Sequence, residues 1–409
     1  MSKYVLPVIL FLSLFLYPSI VQAQDDISLI NSEVEIFFPG ALVFKVEAEG
    51  TYDITRIRLN YTVDKMNYAN VVSEAWPQFT PSTKVKTQHI LDMRRISLPP
   101  GTKLNYRWII EDKIGNAIET SMNSLKFEDS RYQWQSLSLG QITLLWYEGD
   151  ESFARELMSA SHAAIERLTG DTGARLERPI KVYIYASSRD LQGSMVFPQE
   201  WTGGVAFTEY GVIAIGVSPG NLDWGKDALA HELGHMVTHQ IAFSPFGTSL
   251  PVWLDEGLAM HAESQVSPTM VTLLHKAASQ DALFSVRSLS SPFSAIPEKA
   301  YLSYAQSQSI VDYLINTYGH DKVLEILNLL EQGNTCDEAL LQIYGFDQDG
   351  LDKEWRSKLM ENTEPAVTKT LHPVIIGTYS ILAIVVIIAM VFILRKWAYG
   401  RREKTQSVV

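Results

Sequence analysis

The sequence predicts a three-part fold: an all-β N-terminal domain, an α+β domain that carries a histidine-bearing helix, and a single C-terminal transmembrane helix. Three observations support this prediction. Short runs rich in β-branched and aromatic residues, separated by turn signals, occupy much of residues 24–135. An H-E-x-x-H motif lies in an apolar helical pattern within residues 136–361. An uncharged apolar stretch follows at residues 374–394.

The first domain, residues 24–135, is expected to form an immunoglobulin-like sandwich. Turn signals such as Pro39-Gly40 and Gly115-Asn116 separate its strand-like segments. A sandwich of this class needs about 100 residues, which this region supplies. The strand-like segments are residues 33–38, 41–46, 57–61 and 106–110. No convincing catalytic constellation occurs among them, so the domain is interpreted as a spacer or recognition module.

The second domain, residues 136–361, has the pattern of an α+β fold that becomes mostly helical after Glu256. Strands are predicted at residues 142–146 and 180–185, with an amphipathic helix at 152–168 between them. A hairpin is predicted from residues 202–207 and 211–216. Further helices are predicted at residues 304–318, 322–331 and 351–360.

The H-E-x-x-H motif comprises His231, Glu232 and His235. Residues four apart lie on one face of an α-helix, so both histidines can point at one metal ion. Glu232 lies beside them and can reach a water on that ion without being a ligand. Catalytic zinc keeps three protein ligands and leaves one position open. The motif therefore predicts a zinc-dependent hydrolase with one Zn²⁺ and Glu232 as general base.

The third ligand is predicted to be Glu256, in the segment Trp253-Leu254-Asp255-Glu256-Gly257-Leu258-Ala259. Pro245, Gly247 and Pro251 interrupt the chain after the first helix, so a second helix can return antiparallel to it. Asp255 is the rival ligand. The longer H-E-x-x-H-x-x-G-x-x-H pattern fails, because Thr238 and Ile241 occupy its last two defined positions. His239 is expected to support the site from behind or to lie at the surface.

These two motifs together, H-E-x-x-H followed by W-L-x-E-G-x-A, resemble the gluzincins and most closely the peptidase MA-like family. The resemblance extends over about residues 140–360 and implies a zincin-like catalytic fold. It implies His231, His235 and Glu256 as zinc ligands and Glu232 as the general base. The chain departs from the thermolysin-type members of this group at one position. They carry an Asp four residues after the ligand Glu, whereas this sequence has Met260 there. Glu263 or a backbone carbonyl is expected to orient His231 instead.

Substrate contacts are predicted on the hairpin before the motif and on a later helix. In related zincins an edge strand at this place pairs with the peptide substrate, and the matching segment is Gly203–Phe207. A plain core hairpin is the alternative. No acidic residue precedes Glu209 in this segment, which favours an endopeptidase over an aminopeptidase. Tyr301 or Tyr304 could donate to the oxyanion, and Tyr304 is preferred because it lies in the resembling segment.

Both ends of the chain predict a location at the cell membrane. Residues 1–23 have the pattern of a signal peptide, with Lys3 before an apolar run. A polar linker is predicted at residues 362–373. The uncharged 21 residues from 374 to 394 would span about 31 Å as a helix. The basic tail, residues 395–409, then lies in the cytoplasm and the two domains lie outside it.

The formal net charge of −12 argues against nucleic acid as a partner. Cys336 is the only cysteine, so neither an intramolecular disulfide nor a cysteine zinc site can form. The leading hypothesis is a membrane-anchored extracytoplasmic zinc metallopeptidase. The competing hypothesis is a surface binding or adhesion protein with a catalytically silent zincin fold. An intact Glu232 favours the first, because a binding module needs no general base.

Overall fold

The computed structural model describes residues 26–198, 203–247, 250–263 and 267–361. An all-β region comes first, and a five-stranded sheet with helices follows it. Both belong to one compact unit, which ends at Ser357.

The β region is built around β2, a strand of 23 residues. The first half of β2 pairs with β1 and β4, and its second half pairs with β5 and β3. The pairing shifts register between Glu49 and Arg56, where the strand passes from one half to the other. The elements are β1 Ile27–Phe37, β2 Ala41–Val63, β3 Ser73–Ala75, β4 Ser82–Asp92, α1 Met93–Ile96, β5 Thr102–Asp112, β6 Ala117–Glu119 and β7 Asn123–Phe127.

The predicted all-β region is present, but its seven strands do not form two separate sheets, because they are connected as one sheet through β2 and β5. The predicted strands at residues 41–46 and 57–61 are both parts of β2. Alternating side chains, among them Phe44, Leu59 and Trp108, point into a common core.

The five-stranded sheet has the order β11-β12-β10-β9-β8. Its three inner strands are parallel, and the two outer strands run antiparallel to their neighbours. Helices α2 and α4 pack on one face through Leu157, Leu229 and Leu233. The elements are β8 Gln135–Leu139, β9 Ile142–Trp146, α2 Glu151–Thr172, β10 Ile180–Tyr185, α3 Ser188–Gln192, β11 Gly204–Phe207, β12 Val212–Gly216 and α4 Leu222–Ile241. The predicted strands at 142–146 and 180–185 and the predicted hairpin are confirmed.

Helices follow the sheet, as predicted. The first, α5, returns against α4, and α7 packs on the other side of α5. The helices are α5 Val252–Ala262, α6 Pro268–Ser279, α7 Pro297–Tyr318, α8 Asp321–Glu331, α9 Cys336–Tyr344 and α10 Gln348–Glu361.

The β region and the five-stranded sheet meet at buried tyrosines. Tyr183 Oη donates to Glu128 Oε2 over 2.8 Å, and Tyr185 Oη donates to Asp129 Oδ2 over 3.1 Å. Asp129 is fully buried, and Arg131 neutralises it through two hydrogen bonds. Burial raises the pKa of both tyrosines above the ordinary value, so the phenols remain donors. The two regions are thereby joined by buried polar contacts.

Within the described residues, no helix is long and apolar enough to cross a membrane. The two longest, α2 and α7, have 22 residues each and carry charged side chains. The predicted transmembrane helix is therefore absent from this described part of the chain. The fold class that included that helix, and the membrane location derived from it, are wrong for these residues. The predicted signal peptide (1–23), linker (362–373), span (374–394) and tail (395–409) lie outside the described residues.

An ionic cluster ties α2, α5 and α7 together. His261 on α5 contacts Asp312 Oδ1 through Nδ1 at 2.8 Å and Asp171 Oδ2 through Nε2 at 3.1 Å. Burial lowers the pKa of His261, but the bonds and charges of the two carboxylates outweigh burial and raise it. The folded state therefore favours the imidazolium.

We predict that His261→Asn destabilises the protein most below about pH 6.5, the pKa of an unfolded-chain histidine. A raised folded-state pKa stabilises fully below the unfolded pKa and loses that contribution as the pH rises through the folded value. The expected loss is about 1.5–3 kcal/mol, the range for hydrogen bonds to charged groups. Denaturant unfolding at pH 5.5 and at pH 9 measures it. A destabilisation that grows with pH would contradict a raised pKa of His261 in the folded protein.

Candidate metal centre

The centre lies where α4 and α5 cross at very short distance. Gly234 on α4 faces Ala259 on α5, and a Cβ at Gly234 would lie 2.6 Å from Ala259 Cα. Such an approach is open only to a residue without a side chain. The same holds on the far side of α5, where a Cβ at Gly257 would lie 2.6 Å from Ser307 O. Small residues within both motifs thus set the spacing of α4, α5 and α7.

This crossing brings Glu256 to the two motif histidines. Glu256 Oε2 lies 3.4 Å from His231 Nε2 and 3.6 Å from His235 Nε2. Ligand atoms about 2.0–2.1 Å from a tetrahedral metal ion are about 3.3 Å apart, so these separations suit a single ion. The three residues form a group that could hold a metal ion.

The outer nitrogen of each motif histidine is held by a carboxylate. His231 Nδ1 donates to Glu263 Oε1 over 2.9 Å, and His235 Nδ1 donates to Asp255 Oδ1 over 2.8 Å. A carboxylate can only accept, so Nδ1 carries a proton and Nε2 is the nitrogen that faces Glu256 and could bind a metal ion. Partners of this kind fix the tautomer and ring orientation of metal-binding histidines. The expectation that Glu263 orients His231 agrees with this contact.

Asp255 faces away from Glu256 and joins two histidines. Its second oxygen, Oδ2, lies 2.9 Å from His239 Nε2. Burial raises the pKa of Asp255, but the nearby His235 and His239 outweigh burial and hold it below the usual range. His235, His239 and Asp255 form a second group whose ligand atoms lie within 4.8 Å of one another. Both groups contain His235. In the second group, Asp255 is already hydrogen-bonded to the Nδ1 of His235.

The chemistry of the first group fits a divalent cation. Glu256 Oε2 is buried and accepts no hydrogen bond. Such an atom is costly to bury unless a partner balances its charge. Glu232, Asp255 and Glu263 add three further carboxylates around the histidines. Burial lowers the pKa of His231, but nearby Glu256 and Glu263 outweigh burial and raise it to about 10. The site thus attracts positive charge.

Glu232 lies between the histidines and strand β11. The backbone N–H of Ala206 faces its carboxylate and favours the charged form, and a Cβ at Gly204 would lie 2.7 Å from Glu232 Oε1. Burial raises the pKa of Glu232 above the ordinary value, opposed by the nearby His235 and His231. A carboxylate with a raised pKa is a stronger base than an ordinary one, which suits a group that accepts and then returns a proton.

Tyr304 lies at the same centre, and Tyr301 does not. The Tyr304 ring centroid is 6.4 Å from that of His231, and Phe293 packs edge-on against Tyr304 at 5.2 Å. Burial, with the charges of Glu256 and Glu232, raises the pKa of Tyr304 above the ordinary value. Its phenol therefore stays protonated and can donate. Tyr301 is 57% exposed.

Residues 160–361 match the family model of the Peptidase MA superfamily. This segment belongs to the Peptidase MA superfamily. It contains the H-E-x-x-H helix, Glu256, Glu263 and Tyr304, so the peptidase MA-like resemblance is confirmed. The family match suggests a peptidase-type hydrolase, and the group of two histidines and a glutamate in this segment could bind metal.

Other comparisons add no argument. No curated protein matches the chain. A solved structure of a Br derivative of BhCBM56 is 9% identical, with a TM-score of 0.18, and the match covers 23% of this chain and 88% of that one. A carbohydrate-binding module family 56 beta-1,3-glucan binding domain is 11% identical, with a TM-score of 0.16, and the match covers 24% and 98%. Similarity this low supports no inference on fold or ligand.

Two contacts of the peptidase MA segment were not predicted. Gly204 lies in the segment predicted to pair with a substrate, and in the structure its lack of a side chain makes room for Glu232. Arg167 on α2 donates from Nη1 to the carbonyls of Ala262 and Glu263, which end α5. A glycine inside a strand signals a close approach without naming the partner. Nothing in the sequence pairs Arg167 with residues nearly a hundred positions away.

We predict that Glu263→Gln lowers the affinity of the centre for zinc about 10- to 100-fold, the usual cost of losing such a partner. The amide keeps the size of the side chain but loses the charge that holds the His231 proton. Competition with a chromophoric chelator measures the affinity. Glu156→Gln, which removes a surface partner of Lys226, is the matched control. Equal affinities in both variants would show that Glu263 does not support the centre.

Proposed function

We propose that this protein is a zinc-dependent endopeptidase in which His231, His235 and Glu256 hold one Zn²⁺ and Glu232 is the general base. The observation that carries the proposal is the convergence of three candidate ligand atoms beside the carboxylate of Glu232, which is not one of the ligands. Two histidines and one carboxylate are a common catalytic set for zinc. A bound zinc ion would lower the pKa of a water molecule and polarise a carbonyl oxygen.

In this proposal Glu232 moves the proton. Its carboxylate takes a proton from the attacking water as the water oxygen bonds to the scissile carbonyl carbon. Glu232 then returns that proton to the amide nitrogen as the C–N bond breaks, so no other acid is needed. The nearby Ala206 N–H and the close approach of Gly204 are proposed to position the carboxylate for both transfers. Tyr304, held by Phe293, is proposed to donate a hydrogen bond from its phenol to the developing oxyanion.

The substrate backbone is proposed to pair with β11, an edge strand. The Gly216 N–H donates to Gly203 O, and pairing alternates along antiparallel strands. Gly204 and Ala206 therefore direct their backbone groups away from β12. With the Ala206 N–H engaged by Glu232, the N–H and C=O of Gly204 and the C=O of Ala206 remain for a peptide.

An endopeptidase needs no group for a free substrate amine. Glu209, the first acidic residue after β11, forms an ion pair with Lys65 Nζ at 2.7 Å. Its carboxylate is thus occupied, which supports internal cleavage over removal of single N-terminal residues.

We predict that Glu232→Gln lowers kcat by at least about a hundredfold and leaves the zinc content unchanged, because it removes the proton acceptor but no ligand. Cleavage of an unstructured protein by the full chain, with the zinc content measured on the same sample, tests this. Chelation should abolish wild-type cleavage and added zinc should restore it. Zinc in both proteins with cleavage by neither would contradict the peptidase proposal and favour a binding role. Equal cleavage by both would contradict the role of Glu232.

We predict that Gly204→Ala lowers kcat about tenfold or more without loss of zinc. The added methyl would displace the carboxylate of Glu232, and small misplacements of reacting groups are costly. Gly220→Ala is the matched control, because a Cβ there meets nothing within 4 Å. An unchanged kcat in Gly204→Ala would show that the contact does not position the base.

A further inference from the structure

One segment of the β region, residues 64–68, reaches across to the two elements that flank the centre. Its first contact is with the turn that follows β11. The backbone N–H of Met66 donates to Glu209 O over 2.7 Å, and Lys65 Nζ donates to Glu209 Oε2 over the same distance. Lys65 Nζ also lies 5.9 Å from the ring centroid of Tyr210. Tyr210 itself packs against the core of the β region.

The second contact of the segment is with the chain just after α4. The Tyr68 ring stacks on Phe243, with centroids 4.6 Å apart and planes inclined by 6°. Tyr68 Oη also donates to the backbone carbonyl of Phe243. Phe243 lies two residues beyond Ile241, the last residue of the helix that carries His231 and His235.

Strand β11 needs support of this kind. It has four residues and pairs with β12 on one side only. A strand this short with one free edge opens locally at little cost. The position of β11 nevertheless matters to the base, because Gly204 lies directly against the carboxylate of Glu232. The segment 64–68 fixes the end of β11 and the end of α4 to the same five residues.

We propose that residues 64–68 are a positioning clamp, which holds strand β11 at a set distance from helix α4. This rests on the proposed function, in which β11 binds the substrate backbone and α4 carries the base. The β region is then part of the hydrolytic apparatus. The ion pair of Lys65 with Glu209 is partly exposed, with side-chain exposures of 35% and 51%, so its contribution is small.

The test compares Tyr68→Leu and Lys65→Met in the full chain with wild type. Amide hydrogen exchange is followed in residues 203–210, and KM, kcat, zinc content and Tm are measured alongside. Loss of an aromatic pair should speed exchange of β11 about two- to tenfold in Tyr68→Leu. KM should rise by a similar factor, with zinc content and Tm unchanged. Lys65→Met should also speed the exchange of β11 and raise KM, but by smaller factors.

The matched controls are Tyr52→Leu and Lys113→Met, which change the same residue types in the β region. Tyr52 is 37% exposed, and Lys113 pairs with Asp53 over 3.2 Å. Faster exchange confined to residues 203–210 in the clamp variants alone supports the proposal. Exchange and KM equal to those of the controls would overturn it, as would faster exchange throughout the chain. If wild type cleaves no peptide, the proposed function fails, and exchange alone still decides whether the clamp holds β11.

Discussion

The close crossing of α4 and α5 is the constraint on which the centre depends. Glu256 can meet His231 and His235 only because Gly234 and Ala259 let the two helix backbones approach. Gly257 lets α7 press on α5 from the other side, which leaves α5 little freedom to move away. Larger residues at these positions would separate ligands whose required spacing is about 3.3 Å. The small residues of the two motifs are therefore as necessary to the centre as the ligands.

Around that crossing, carboxylates hold each histidine in one orientation. Glu263 and Asp255 take the Nδ1 protons, and both residues lie on or just after α5. Arg167 caps the end of α5 beside Glu263, and His261 ties the same helix to α2 and α7. One helix thus supplies a ligand and positions the other two. The resulting excess of negative charge explains why a cation suits the site.

Much of the centre was predictable because helix periodicity relates residues within one element. His231, Glu232 and His235 needed only the 3.6-residue repeat, and the proline and glycine breaks indicated a returning helix for Glu256. The support of His231 was left open between Glu263 and a backbone carbonyl, since it depends on how α5 ends. The contacts of Gly204 and Arg167 were not predictable, because they join elements distant in the chain.

The fold class was less predictable, for a physical reason. Alternating hydrophobic residues identify strands but not the sheet to which each belongs, and β2 serves both halves of one sheet. The pattern of residues 41–46 and 57–61 is the same whether they form two strands or one bent strand. The role of the β region was equally hidden, because Lys65 and Tyr68 meet Glu209 and Phe243 only through the tertiary fold.

The most direct test of the proposed zinc centre is a crystal structure of the zinc-soaked protein with anomalous scattering measured at the zinc edge. We expect a single strong peak about 2.0–2.2 Å from His231 Nε2, His235 Nε2 and a Glu256 oxygen. A peak between His239 and Asp255 instead, or no ordered peak near His231, would contradict it.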